Sequence, residues 1–209
     1  MLRAGCAAML VVTVATAPAH ADTPRSESQR EPQEARPETQ EEDDMLRGEI
    51  SASPLLAVGL LPALAGGAAF ATTFRWQSLS IGVEARMFTS LADTFADGVL
   101  VHASLAMPAL GVCGHRGALS LCAVFDAGEL RITSEPEVSI HARKPWVSSV
   151  GLRAAGEWPF SERLSLRGFA ELHTNHSRPS IWVNDREIWQ VPPLSAVVGV
   201  GLVLPVDAF

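Results

Sequence analysis

Ser195-Ala196-Val197-Val198-Gly199-Val200-Gly201-Leu202-Val203-Leu204-Pro205-Val206-Asp207-Ala208-Phe209 is the stretch that decides the fold. Ala196, Val198, Val200, Leu202 and Leu204 fall on one side while Gly199 and Gly201 fall on the other, the period-two pattern of a strand with one apolar face. Pro205 and Asp207 interrupt the apolar row and Phe209 lies out of phase with it. A bulge at Pro205 would restore the phase, because proline donates nothing to a ladder and is tolerated at bulges and strand ends.

The same alternation recurs in pieces of about ten residues, the per-segment signature of a transmembrane barrel. Eight pieces are expected: 49–60, 67–76, 78–89, 99–113, 118–132, 146–159, 163–174 and 195–207. In the third, Leu79, Ile81, Val83, Ala85 and Met87 oppose Ser80, Gly82, Glu84 and Arg86. In the sixth, Val150, Leu152, Ala154 and Trp158 oppose Ser149, Gly151, Arg153 and Glu157; in the seventh, Leu164, Leu166, Ala170 and Leu172 oppose Ser165, Arg167, Glu171 and His173. Mid-strand charges would cost about 2–4 kcal/mol each against lipid, so those faces must line a lumen. After Gly48 no segment is apolar for 18 residues, which excludes membrane-spanning helices. The joins alternate as well: short around Gln77, Gly114 to Gly117 and Phe160 to Glu162, long at 90–98, 133–145 and 175–194. Short turns belong on the periplasmic side and long loops outside, which places both ends of an even-stranded barrel in the periplasm. The short, apolar join 61–66 does not fit that scheme. Trp76, Trp146 and Trp158 fall at strand ends, where an interfacial girdle would put them. A soluble β-sandwich is the competing architecture, but its exposed charges would be scattered and lysine-rich, whereas this chain has one lysine, Lys144, and fifteen arginines.

Residues 1–21 read as an export signal, with Arg3, an apolar run from Ala7 to Ala15, and Ala19-His20-Ala21 before Asp22. Cys6 precedes the apolar run, so it is no lipoprotein anchor and is lost with the signal. Residues 22–47 form an acidic linker with nine acidic and four basic residues, too polar to fold alone. Residues 48–209 keep 14 acidic against 11 basic residues, which argues against a nucleic-acid surface. A final strand closed by Phe209, behind a secretory signal, resembles the last strand of small outer-membrane β-barrels of Gram-negative bacteria, eight-stranded and OmpA/OmpX-like in architecture. The resemblance implies an all-β, antiparallel up-and-down transmembrane barrel in the outer membrane. Outer-membrane lipid and the barrel assembly machinery, which reads the terminal aromatic, would be its partners. A monomer without cofactor or metal is expected, with an extracellular or periplasmic partner that the residues do not name.

An eight-stranded barrel has an interior just wide enough for side chains. Its expected inward charges are Arg75, Glu84, Arg86, Asp126, Arg153, Glu157, Arg167 and Glu171, four of each sign, which should pair into a plug because unpaired buried charge is costly. Such a plug speaks against a pore. Cys113 and Cys122 flank the Gly114–Gly117 turn, and an even count in an exported chain favours a disulfide. Alternation counted from an outward Leu105 puts Cys113 outward and Cys122 inward, so the bond would need a bulge at Met107-Pro108. Metal binding by Cys113, His115 and Cys122 fits no standard zinc spacing. Ile181-Trp182-Val183 and Ile188-Trp189-Gln190, around Asn184-Asp185, read as a hairpin extending strands seven and eight or as a ninth and tenth strand; Trp182 and Trp189 would be its contact residues. A lipid-modifying hydrolase would draw on Glu171, His173, His176 and Ser177, although no G-x-S-x-G is present.

Overall fold

A computed structural model describes residues 46–96, 99–135, 140–143, 145–161, 163–183 and 186–206. The export signal, nearly all of the linker and Phe209 lie outside the described residues. The strands, in chain order, are β1 (Arg47–Val58), β2 (Ala65–Trp76), β3 (Leu79–Ser90), β4 (Thr94–Ala96), β5 (Val99–Arg116), β6 (Leu119–Glu135), β7 (Ile140–Arg143), β8 (Trp146–Ser161), β9 (Leu164–Ser177), β10 (Ser180–Val183), β11 (Arg186–Gln190) and β12 (Leu194–Val206).

Eight of these, β1, β2, β3, β5, β6, β8, β9 and β12, make an antiparallel meander. Each pairs with the next, β3 with β5 and β6 with β8 included, and β12 returns to pair with β1. The sheet is therefore a closed barrel with no free edge, which is how strands satisfy every backbone group in lipid. The eight expected strands are the eight observed, each bound within three residues of its expected place. Three short connections, Gln77-Ser78, Gly117-Ala118 and 162–163, mark one rim, where β1 begins and β12 ends. Gln77 and Gly117 take left-handed conformations, φ 50° and 62°, to turn the chain within two residues. The other rim carries the longer connections 59–64, 91–98, 136–145 and 178–193.

Alternation sorts the side chains as the sequence implies. Phe70, Val83, Met87, Leu121, Phe125, Leu152, Leu172 and Val200 stand exposed around the outside, an apolar belt of the kind lipid requires. Trp76 and Trp158 lie in it at the short-turn rim and Trp146 at the loop rim. Trp146 stands opposite Glu129, whose neighbour on that face is the exposed Arg131, so the belt ends there.

Four expectations are corrected. The β1–β12 register runs unshifted through Glu49↔Pro205 to Gly48↔Val206, so Pro205 makes no bulge. Leu105 and Met107 point inward and are buried, which reverses the expected phase of β5. Cys113 then lies inward and directly opposite Cys122 with no bulge at Pro108, and the sulfurs are bonded. Finally, β10 and β11 neither prolong the barrel strands nor enter the barrel sheet; with β7 they form a separate three-stranded sheet, because Arg178-Pro179 breaks the chain after β9.

Candidate functional site

The lumen is stacked in tiers. Nearest the short-turn rim, Arg167 of β9 bonds Glu49 of β1 at 2.6 Å and Glu157 of β8 at 2.8 Å, while Arg75 of β2 approaches Glu49 only to 3.9 Å. Beside them His115 Nε2 lies 2.7 Å from the Ser80 hydroxyl. Above sits the Cys113–Cys122 disulfide on a small cluster of Ala109, Cys122 and Val124. With both sulfurs bonded to each other, neither is a metal ligand.

The central tier crosses the barrel. Arg86 of β3 bonds Glu171 of β9, the strand diametrically opposite, through two nitrogens at 2.9 and 3.1 Å. Arg86 also bonds Glu84 on its own strand at 2.7 and 2.9 Å and reaches Asp126 of β6 at 3.4 Å. Arg153 of β8 bonds both Glu84 and Glu171, and its guanidinium carbon lies 4.6 Å from the centre of the Phe169 ring. His173 places Nε2 2.7 Å from Glu171 and Nδ1 3.3 Å from Asp126, so its ring bridges two of the three central carboxylates. The Ser149 hydroxyl donates to Asp126 and lies 3.2 Å from His173 Nδ1. Small residues open the space: a Cβ on Gly151 would fall 2.7 Å from His173 Nδ1, and one on Gly199 would fall 2.5 Å from the Phe169 ring.

Toward the loop rim the lumen turns apolar. Leu55, Ala57, Ala69, Phe88, Val101, Leu105, Met107, Leu130 and Val197 pack into one cluster with Leu60 and Leu61, which fold in from the 59–64 connection. That accounts for a loop whose composition looked wrong for a solvated one: its leucines plug the barrel mouth. Ile181 and Val183 of β10 belong to the same cluster, fully buried, and Ile188 and Trp189 of β11 pack on it. The three-stranded sheet thus seals the loop end.

All eight expected lumen charges face inward, but among the described residues they form two groups with no ion pair between them. A void of about 30 Å³ separates the groups, room for about one water. Glu49 is the partner the sequence reading missed, although Ser51 and Ser53 alternate with it opposite Ile50 and Ala52. Phe169 and Ser149 were legible by the same period. The hydrolase constellation is not assembled: His176 is on the outward face of β9, and Ser177 bonds the Ser148 hydroxyl at 2.8 Å. Ser149, His173 and Glu171 do stand in the order hydroxyl, imidazole, carboxylate, but all three are buried and Ser149 gives its proton to Asp126. Trp182 and Trp189 are half-buried, and the Trp182 indole donates to the Ser180 hydroxyl at 2.7 Å.

No protein-family model and no curated protein matches the sequence. Among solved structures, the barrel is similar to a major outer membrane protein from Thermus thermophilus, with a TM-score of 0.52 at 11% identity, covering 77% of this chain and 99% of that one. This chain has the fold of a small outer-membrane β-barrel. Weaker likenesses are to neisserial surface protein A, TM-score 0.46 at 9% identity over 76% and 96% of the two chains, and to Ail, the attachment invasion locus protein of Yersinia pestis, TM-score 0.45 at 8% over 78% and 99%. At 11% identity the likeness to the Thermus protein is one of fold and assigns no residue a role.

Proposed function

We propose that this barrel is a closed outer-membrane protein of structural or surface-contact role, exported by cleavage after Ala21, with both barrel ends in the periplasm and the loop rim outside. The observation that carries the reading is the blocked lumen, in which two charge tiers, an apolar plug and the lid sheet follow one another without a gap wide enough for a solute. A conduit needs a continuous wet path, and side chains fill an eight-stranded interior. Contacts with a ligand or another cell then fall to the outer connections, and the lid hairpin of β10 and β11 offers the half-exposed faces of Trp182 and Trp189, a residue type enriched at binding hot spots. Outer-membrane lipid surrounds the belt, and the assembly machinery acts through β12, the strand that closes the barrel on β1.

Membrane fractions run on unboiled and boiled gels, together with planar-bilayer recordings of the purified protein, test this reading. Heat-dependent migration in the outer-membrane fraction and no conductance above the bare bilayer are expected. Stable unitary conductance would overturn the closed-barrel role, and a soluble protein without a heat shift would overturn the membrane assignment. Protease added to intact cells should cut within 178–193 if that connection is external.

A further inference from the structure

At the short-turn rim the lumen opens into a cavity of about 300 Å³, lined by Arg75, His115, Ser120, Glu157, Ser165 and Arg167. Its two arginines are not equivalent. Arg167 is held between two carboxylates at 2.6 and 2.8 Å, whereas the only ion pair of Arg75 among the described residues is the 3.9 Å approach to Glu49. A guanidinium carries five donors in a planar fork, so most of those of Arg75 are free to take a planar anion. Arg75 and Arg167 face Glu49 and Glu157, and the exposed Arg47, cross-strand from Arg75, and Arg116 add positive charge at the same rim. The flat fork of a guanidinium fits a carboxylate edge-on, through two parallel N–H···O bonds.

We propose that this cavity binds a carboxylate, with the Arg75 guanidinium as its anchor. The carboxylate has two possible sources. One is a free or periplasmic carboxylate group. The other is the chain itself: Glu41-Glu42-Asp43-Asp44 enters β1 only three residues before Arg47, and at about 3.3–3.6 Å per residue these side chains stay within roughly 22 Å of it.

Modification of the detergent-extracted protein by an arginine-specific dicarbonyl reagent, followed by mass spectrometry, tests the site. The readout is the rate at Arg75 relative to Arg116, which is exposed at the same rim. Wild type is compared with a chain carrying Glu41→Gln, Glu42→Gln, Asp43→Asn and Asp44→Asn, each in sodium acetate and in sodium chloride of equal ionic strength. These substitutions lie ahead of the barrel and leave its strands intact. If the acidic run is the occupant, neutralising it raises the ratio about tenfold, the factor of one charge-assisted hydrogen bond, and acetate lowers it again. If the occupant is a free carboxylate, acetate lowers the ratio in both chains alike. A ratio unchanged across all four conditions overturns the proposal.

Discussion

Arg86 donates to Glu84, Asp126 and Glu171 at once and is 2% exposed, so no water can replace it. Arg86→Met should destabilise the barrel by about 3–5 kcal/mol, the cost of leaving buried carboxylates unpaired, read from urea unfolding in lipid vesicles. The exposed pair of Arg131 and Glu129 at 3.8 Å makes the control: Arg131→Met should change stability by at most about 1 kcal/mol. Gly151 is a second residue whose role is volume alone. A methyl there would collide with His173 and with the Leu172 carbonyl at 2.6 Å, so Gly151→Ala should cost about 1–3 kcal/mol. Pairing it with His173→Ala should recover part of that loss in a double-mutant cycle, and strict additivity would show that the imidazole is not what Gly151 accommodates.

At the scale of elements, the β5–β6 hairpin shows what the sequence could and could not carry. Its existence, its short turn and its cysteine pair were all legible from alternation and spacing. Its phase was not, because Val101, Ala103, Leu105 and Met107 are apolar side chains that face the lumen, and beyond His102 and Ser104 the outward row, Ala106, Pro108, Leu110 and Val112, is apolar too. A stretch apolar on both faces, one toward the lumen and one outward, has no polar row to announce its register. The disulfide closes a separation of only nine residues between strands already hydrogen-bonded, so Cys113→Ser with Cys122→Ser should lower stability by at most about 3 kcal/mol. Comparing unfolding midpoints of the oxidised and substituted proteins measures this. The lid sheet was half legible. Its hairpin followed from two β-branched and aromatic triplets, but β7 joins β10 through a contact between residues about 40 apart that no local pattern predicts.

For the whole molecule, the belt and the lumen charges followed from a single period of two, and this is why eight strands were countable from sequence at all. The division of the charges into two tiers was not readable, since it depends on how far each residue stands along the barrel axis. The belt makes its own prediction: in single-tryptophan variants reconstituted with brominated lipids, Trp76, Trp146 and Trp158 should be quenched strongly and Trp189, packed on the lid core, weakly. The contact of Arg86 with Glu171 joins residues 85 positions apart and walls on opposite sides of the lumen. A nascent sheet holding only β1 to β3 would present Glu84 and Arg86 to hydrocarbon, with Arg153 and Glu171 still to come. Entry into the bilayer is thereby tied to circular completion: the N-terminal hairpins gain nothing by inserting early, and the last strands to be made bring the counter-charges that allow the first to cross.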